Sequence, residues 1–281
     1  MTTVKIVTDS SIQLTAAQMQ AYSIHEIPLN VEVGGQQYVD GETITRSEFV
    51  QKMAESDQLP KSSQPAIGRF VEVFDELGQD GSEVLAITMT KGLSGTVTSA
   101  QQAAQLSSTK VTVIDSDFTD SGLSFQVLKA AEMAQAGASI AEILPELTKI
   151  RETTKVYVAM PTLENIVKGG RLGKLAASLT TFLKISIVVE LRDGKLRIAK
   201  KGRGIKTIQN FAQAKVQELI EHGDRLGGVS FSYVNDDYLP QKFTQQIKER
   251  WPQVPIVTEV TSPVISTHAG LGAFAIIYYY K

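Results

Sequence analysis

The residues able to do chemistry gather in short polar loops between apolar elements. Lys91-Gly-Leu-Ser-Gly-Thr96 follows an apolar strand, Glu83–Thr90, and precedes an Ala-rich helix, Val97–Leu106. A Gly-rich turn from strand to helix leaves backbone N–H groups unpaired at the helix start, and the helix dipole adds positive potential there. Together they make an anion site, here centred on Gly95. Ser94 and Thr96 add hydroxyls at the same spot. Lys61-Ser-Ser-Gln-Pro65 places two more hydroxyls, Ser62 and Ser63, before a helix expected to open at Pro65. Alone it reads as a helix cap. Beside a second hydroxyl-bearing helix start it gains weight as part of a binding site.

Three further segments carry charge. Gly169-Gly-Arg-Leu-Gly173 frees the chain around Arg171, a natural partner of carboxylate or phosphate; a helix end followed by a solvated Arg is the equal alternative. Lys200-Lys-Gly-Arg-Gly204 is a basic cluster, either a solvated surface or, through Arg203, a contact to an anion or partner. Of three histidines, His25 falls in a strand and His222 at a helix end; His268 falls in the Gly-containing stretch Ser266–Gly272, read as a turn between strands. It is the one histidine in a setting suited to a site. Asp9 lies at the end of the first strand, where open α/β sheets bind ligands. With no second carboxylate at ligand spacing, capping of the next helix by Asp9 and Ser10 is preferred to metal binding.

No complete catalytic template is present. Leu93-Ser-Gly-Thr96 is not the G-x-S-x-G nucleophile elbow, and neither G-x-x-x-x-G-K-[ST] nor G-x-G-x-x-G occurs. A hydrolase or transferase using Ser94 on a small anionic substrate stays open as the alternative to a binding protein; it would need a base, with His268 the candidate.

The elements positioning these loops alternate between strand and helix through the first half: strand Val4–Val7, helix Leu14–Tyr22, extended Ile24–Val33, a turn at Gly34-Gly35, a helix opened by the capping box Thr45-Arg-Ser-Glu48, then Ile67–Leu77, Val111–Asp115 and Leu123–Gln135. Such alternation predicts a mostly parallel sheet covered on both faces. The second half has strands at Lys155–Met160, Gly227–Tyr233, Pro255–Val260 and Ala273–Tyr280, and a hairpin, Ile187–Leu191 with Lys195–Ala199, turning at Asp193-Gly194. This predicts a mixed sheet. A polar link at Arg151–Lys155 puts the expected boundary between two α/β domains, 1–153 and 154–281.

Bulk composition narrows the classes. The chain has 281 residues, 42% hydrophobic and 21% charged, as a globular protein of one or two domains would. A net charge of −2 argues against nucleic acid as a partner. The absence of cysteine removes disulfides, thiolate metal sites and a Cys nucleophile, and fits the reducing cytoplasm, the expected location. No secretory signal is expected from the first residues, and no apolar run approaches the roughly 18 residues that span a bilayer, so stable membrane insertion is not expected.

Taken together, Thr8-Asp-Ser10, Ser62-Ser-Gln-Pro65, Leu93-Ser-Gly-Thr96, Gly169-Gly-Arg171 and His268-Ala-Gly270 resemble, in order and spacing, the hallmarks of the DegV family across nearly the whole chain. Asp40-Gly41 and Asp115-Ser116 match it too. The chain departs from the pattern at Ser62, where Thr is commoner, and at Leu271, often Pro.

The resemblance implies two α/β domains with a long-chain fatty acid between them. It places the carboxylate at Ser62, Ser63, Ser94, Gly95, Thr96 and His268, and the acyl chain in an apolar tunnel. Arg171 and Arg203 would lie near the head group or face a partner. The implied role is a carrier with no catalytic residues, cofactor or metal of its own. It would present the fatty acid to a separate ATP-binding fatty acid kinase subunit, and the acyl phosphate would pass to an acyltransferase. Residue spacing alone points to a small anion; the acyl tail rests on the resemblance.

Overall fold

A computed structural model describes residues 3–173 and 185–281. Its first sheet has four parallel strands in the order β2-β1-β6-β7: β1 Val4–Asp9, β2 Ile24–Ile27, β6 Glu83–Thr88 and β7 Val111–Asp115. Alternating side chains along these strands serve two faces. Val7, Val84 and Ala86 pack under helices α3 (Ile67–Gly78) and α4 (Thr96–Leu106), against Phe70, Phe74, Ala100 and Ala103. Ile6, Leu85 and Ile87 face α5 (Asp120–Gln135) and α6 (Ile140–Thr153), against Leu123, Val127, Ile143 and Leu147. The expected three layers are therefore present.

The stretch read as one extended segment, 24–33, divides at Pro28. Its first part is β2; its second, β3 (Asn30–Val33), joins a small antiparallel sheet with β4 (Gln36–Val39) and β5 (Lys61–Ser63). Before it, α1 (Ala16–Ala21) is capped by Thr15, not by Asp9 or Ser10. The capping box at Thr45 and Glu48 opens α2 (Arg46–Glu55) as expected.

The second sheet is mixed and six-stranded, ordered β10-β9-β8-β13-β11-β12. Its strands are β8 Lys155–Met160, β9 Ile185–Arg192, β10 Lys195–Arg203, β11 Leu226–Tyr233, β12 Ile256–Val260 and β13 Phe274–Tyr280. Helices α8 (Lys206–Glu221) and α9 (Tyr238–Arg250) cover one face through Ile208, Val216, Phe243 and Ile247. The period-2 pattern of β8 sends Val156, Val158 and Met160 to the other face, toward the first sheet. Two short helices that sequence reading missed, α7 (Glu164–Lys168) and α10 (Pro263–Ala269), close that side. The basic stretch at 200–203 continues β10 rather than following it.

Candidate functional site

Between the two sheets lies a cavity open at one mouth. Its walls are apolar: Leu29, Met89 and Leu93 from the first half, Val156, Val158, Met160, Val189, Leu191 and Leu196 from the second sheet, and Val264, Ile265 and Ala269 from α10. At one place the lining turns polar, where Ser62, Ser63, Gln64, Ser94, Arg171 and His268 meet. Four segments distant in sequence thus supply one polar patch on an apolar cavity.

Each member is held by local structure. Ser62 is on β5, paired with Val31 of β3, so it is a strand residue and not the helix cap expected; α3 begins after Ala66. Its hydroxyl lies 2.8 Å from His268 Nε2. His268 is on α10, not in a turn between strands. Burial, helped by the charge of Arg171, pushes its imidazole down to about 3, so the ring is neutral at physiological pH. Gly169 lets this ring come close: a Cβ there would stand 2.5 Å from His268 Nδ1. Arg171 folds back so that its guanidinium donates to the carbonyls of Gly169 (2.7 Å) and Leu93 (3.3 Å). No carboxylate pairs with it among the described residues, which leaves a half-buried positive charge beside the cavity.

The L-S-G-T turn opens α4, as the sequence predicts. Gly95 is the N-cap of α4 and supplies no side chain to its free amides. Ser94 Oγ is 2.8 Å from Thr96 Oγ1 and accepts from the Thr96 amide at 3.3 Å. Thr96 is fully buried and, like Gly95, does not line the cavity; both stand behind Ser94. Gln64, which sequence reading passed over, ties the two serine loops together. Its Nε2 donates to Ser99 Oγ on α4 at 2.7 Å, and its Oε1 sits where a Cβ on Gly95 would be, 1.8 Å away. Its place between two serines and a proline was the available signal.

Asp9 is a brace. Its oxygens accept from the amides of Met89 (2.6 Å) and Ser11 (3.0 Å), fixing the strand end before the L-S-G-T turn. Ser10 donates to Asp40 at 2.8 Å and accepts from the Leu29 amide at 3.0 Å. Arg203 is exposed at the end of β10 and does not line the cavity. Among the described residues no group of three or more His, Asp or Glu side chains is placed to hold a metal, and no helix is long and apolar enough to cross a membrane.

A family model described as an uncharacterised protein, DegV family, matches residues 3–281. The chain belongs to the DegV family. A DegV domain-containing protein of Listeria innocua is 41% identical over 277 residues, covering 98% of each chain. Among solved structures, the DegV fatty-acid-binding protein of Bacillus subtilis superposes with a TM-score of 0.92 at 26% identity, covering 100% of both chains. The Streptococcus pneumoniae fatty acid kinase B3 protein, loaded with linoleic acid, superposes with a TM-score of 0.80 at 27% identity, covering 99% of this chain and 100% of that one. This DegV protein therefore carries the α/β fold of its relatives over its full described length.

The chemistry open to the site follows from its pairs. Ser62 and His268 are in hydrogen-bond contact, as a nucleophile and base would be, yet among the described residues His268 Nδ1 has no partner to orient or stabilise a charged ring. Ser94 bonds Thr96 and not the histidine. What the patch offers is serine hydroxyls, a neutral histidine and a cation.

Proposed function

We propose that this protein binds a long-chain fatty acid, with its carboxylate at the polar patch and its acyl chain in the cavity between units 1–153 and 154–281. The observation that carries this reading is an apolar cavity whose one polar end gathers Ser62, Ser94, Arg171 and His268. Hydroxyls of Ser62, Ser63 and Ser94 donate to the carboxylate, Gly95 and Thr96 stand behind Ser94 and hold its hydroxyl in place, and Arg171 balances the charge. Burying an acyl chain contributes about 0.8 kcal/mol per CH₂, enough in a sixteen- to eighteen-carbon chain to retain it through purification. The Bacillus subtilis relative, a fatty-acid-binding protein, and the Streptococcus pneumoniae protein loaded with linoleic acid support the same ligand class here.

The name of the Streptococcus pneumoniae fatty acid kinase B3 protein supports a carrier that works with a kinase. In this reading the kinase is a separate ATP-binding subunit, the pair acts in the cytoplasm, and the acyl phosphate passes to an acyltransferase. The carrier itself performs no chemistry and needs no cofactor beyond the fatty acid. Arg203, exposed and outside the cavity, then serves the partner. Denaturing extraction followed by gas chromatography should release one equivalent of long-chain fatty acid. Protein that neither retains nor takes up such a lipid refutes the reading. Arg203→Ala should keep the lipid and lose acyl-phosphate formation with the kinase subunit; unchanged turnover removes Arg203 from that role.

A further inference from the structure

The cavity does not end at its apolar wall. A second, smaller cavity shares Thr119, Val156, Val158, Ile265 and Ala269 with the first, so the two lie side by side and Thr119 lines both. Every other shared residue is apolar. Thr119 is more than nine-tenths buried, and its hydroxyl has no hydrogen-bond partner among the described residues. It occupies the N-cap position of α5, where a threonine ordinarily accepts a helix amide, but its side chain makes no such bond. Its neighbour Asp120 supplies that contact, accepting the Ser121 amide at 2.7 Å. The carboxylate of Asp120 is itself taken up by Ser232 at 2.6 Å and Thr261 at 2.5 Å, so it does not serve Thr119.

A buried hydroxyl without a partner destabilises the fold unless something it binds supplies one. Along a space shaped for an acyl chain, that partner is an oxygen on the chain. Resting on the fatty-acid reading above, we infer that Thr119 selects acyl chains bearing a hydroxyl part-way along their length. A saturated chain passes Thr119 and leaves it unpaired; a hydroxylated chain exchanges a hydrogen bond with it.

The test is a displacement titration with stearate, oleate and hydroxystearates carrying the hydroxyl near the carboxyl, at mid-chain or near the methyl end. Wild type, Thr119→Val and Thr119→Ser are compared. One positional isomer should bind wild type about fivefold more tightly than stearate, the gain of a single neutral hydrogen bond. Thr119→Val should erase that preference, measured as the ratio of hydroxystearate to stearate affinity, and Thr119→Ser should retain it. Oleate in the series separates an oxygen from a double bond. Ligand-free Thr119→Val should melt no lower than wild type, because it loses only an unpaired hydroxyl. No favoured isomer, or a preference that survives Thr119→Val, overturns the inference while stearate binding leaves the fatty-acid reading standing. A melting point several degrees lower shows that the hydroxyl has a structural partner and also overturns it. Failure of stearate and oleate to bind any of the three takes down both.

Discussion

Replacing Ser62 with alanine tests the head-group site where its geometry is clearest. Ser62 is fixed by strand pairing to Val31, so the backbone does not depend on the hydroxyl and the variant should fold. The hydroxyl is the partner of His268 Nε2 at 2.8 Å, and His268 Nδ1 lacks one among the described residues. The substitution leaves both ring nitrogens unpaired. Leaving a buried ring nitrogen unpaired costs about 1–3 kcal/mol, a fall of a few to several degrees in Tm. With a carboxylate bound, the variant loses one charge-assisted hydrogen bond worth about 1.5–3 kcal/mol. At about 1.4 kcal/mol per decade this weakens Kd roughly ten- to a hundredfold. Displacement of a fluorescent fatty acid reads Kd, and thermal melts with and without ligand read the two stability terms separately. Ser62→Thr keeps the hydroxyl and should bind as wild type does. An unchanged Kd in Ser62→Ala, with the melting point lowered, would mean that the hydroxyl serves only His268 and that the carboxylate lies elsewhere.

Other outcomes follow from the same contacts. Ser94→Ala and Ser63→Ala should each weaken fatty-acid binding about tenfold in the same titration, with little change in ligand-free Tm; equal affinities would remove those hydroxyls from the site. In Gly92→Ala the new Cβ would stand 1.8 Å from the Gly194 carbonyl oxygen, forcing the β9–β10 hairpin off the L-S-G-T loop and breaking the Thr90–Gly194 bond. It should lower both Tm and affinity, because Leu191 and Leu196 flank that hairpin and line the cavity, whereas Gly68→Ala, with open space around it, should do neither. Burial pushes the carboxyls of Asp40 and Glu26 up to about 7. Their protonated forms are favoured by the fold, so this contribution is complete below the unfolded values near 4 and is lost as pH rises through 7. The lowered His268 acts oppositely, its contribution being present above about 6.5 and lost as pH falls toward 3. The stability difference between wild type and Asp40→Asn cancels the histidine: the variant should lose less stability between pH 5 and pH 8, and parallel pH profiles would refute the shift.

Much of the fold was legible because it is written in local periodicity. The parallel sheet, its two covering helix layers and the Asp-Gly hairpin follow from alternation of apolar residues, capping boxes and turn chemistry, all of which act within a few positions. The strand–turn–helix at Ser94 was readable for the same reason. What went unread were short elements that exist only by packing. α10 has seven residues, too few to be stable alone, and is held against the cavity by Val264 and Ala269 and by a bond from Asn165 Nδ2 to the Thr267 carbonyl. So His268 looked like a turn residue. Ser62 looked like a cap because β5 has three residues and forms by pairing with β3, thirty positions earlier.

By itself the sequence determined the element types and the residue kinds at the site: hydroxyls, an arginine, a histidine and helix-start amides, hence an anion. Only the tertiary structure decided which of them meet. It brought Ser62 to His268 across 206 positions and left Arg203 outside. It also enclosed the apolar space, because a cavity between two sheets is made by side chains whose common neighbour is each other in space, a relation no local pattern records.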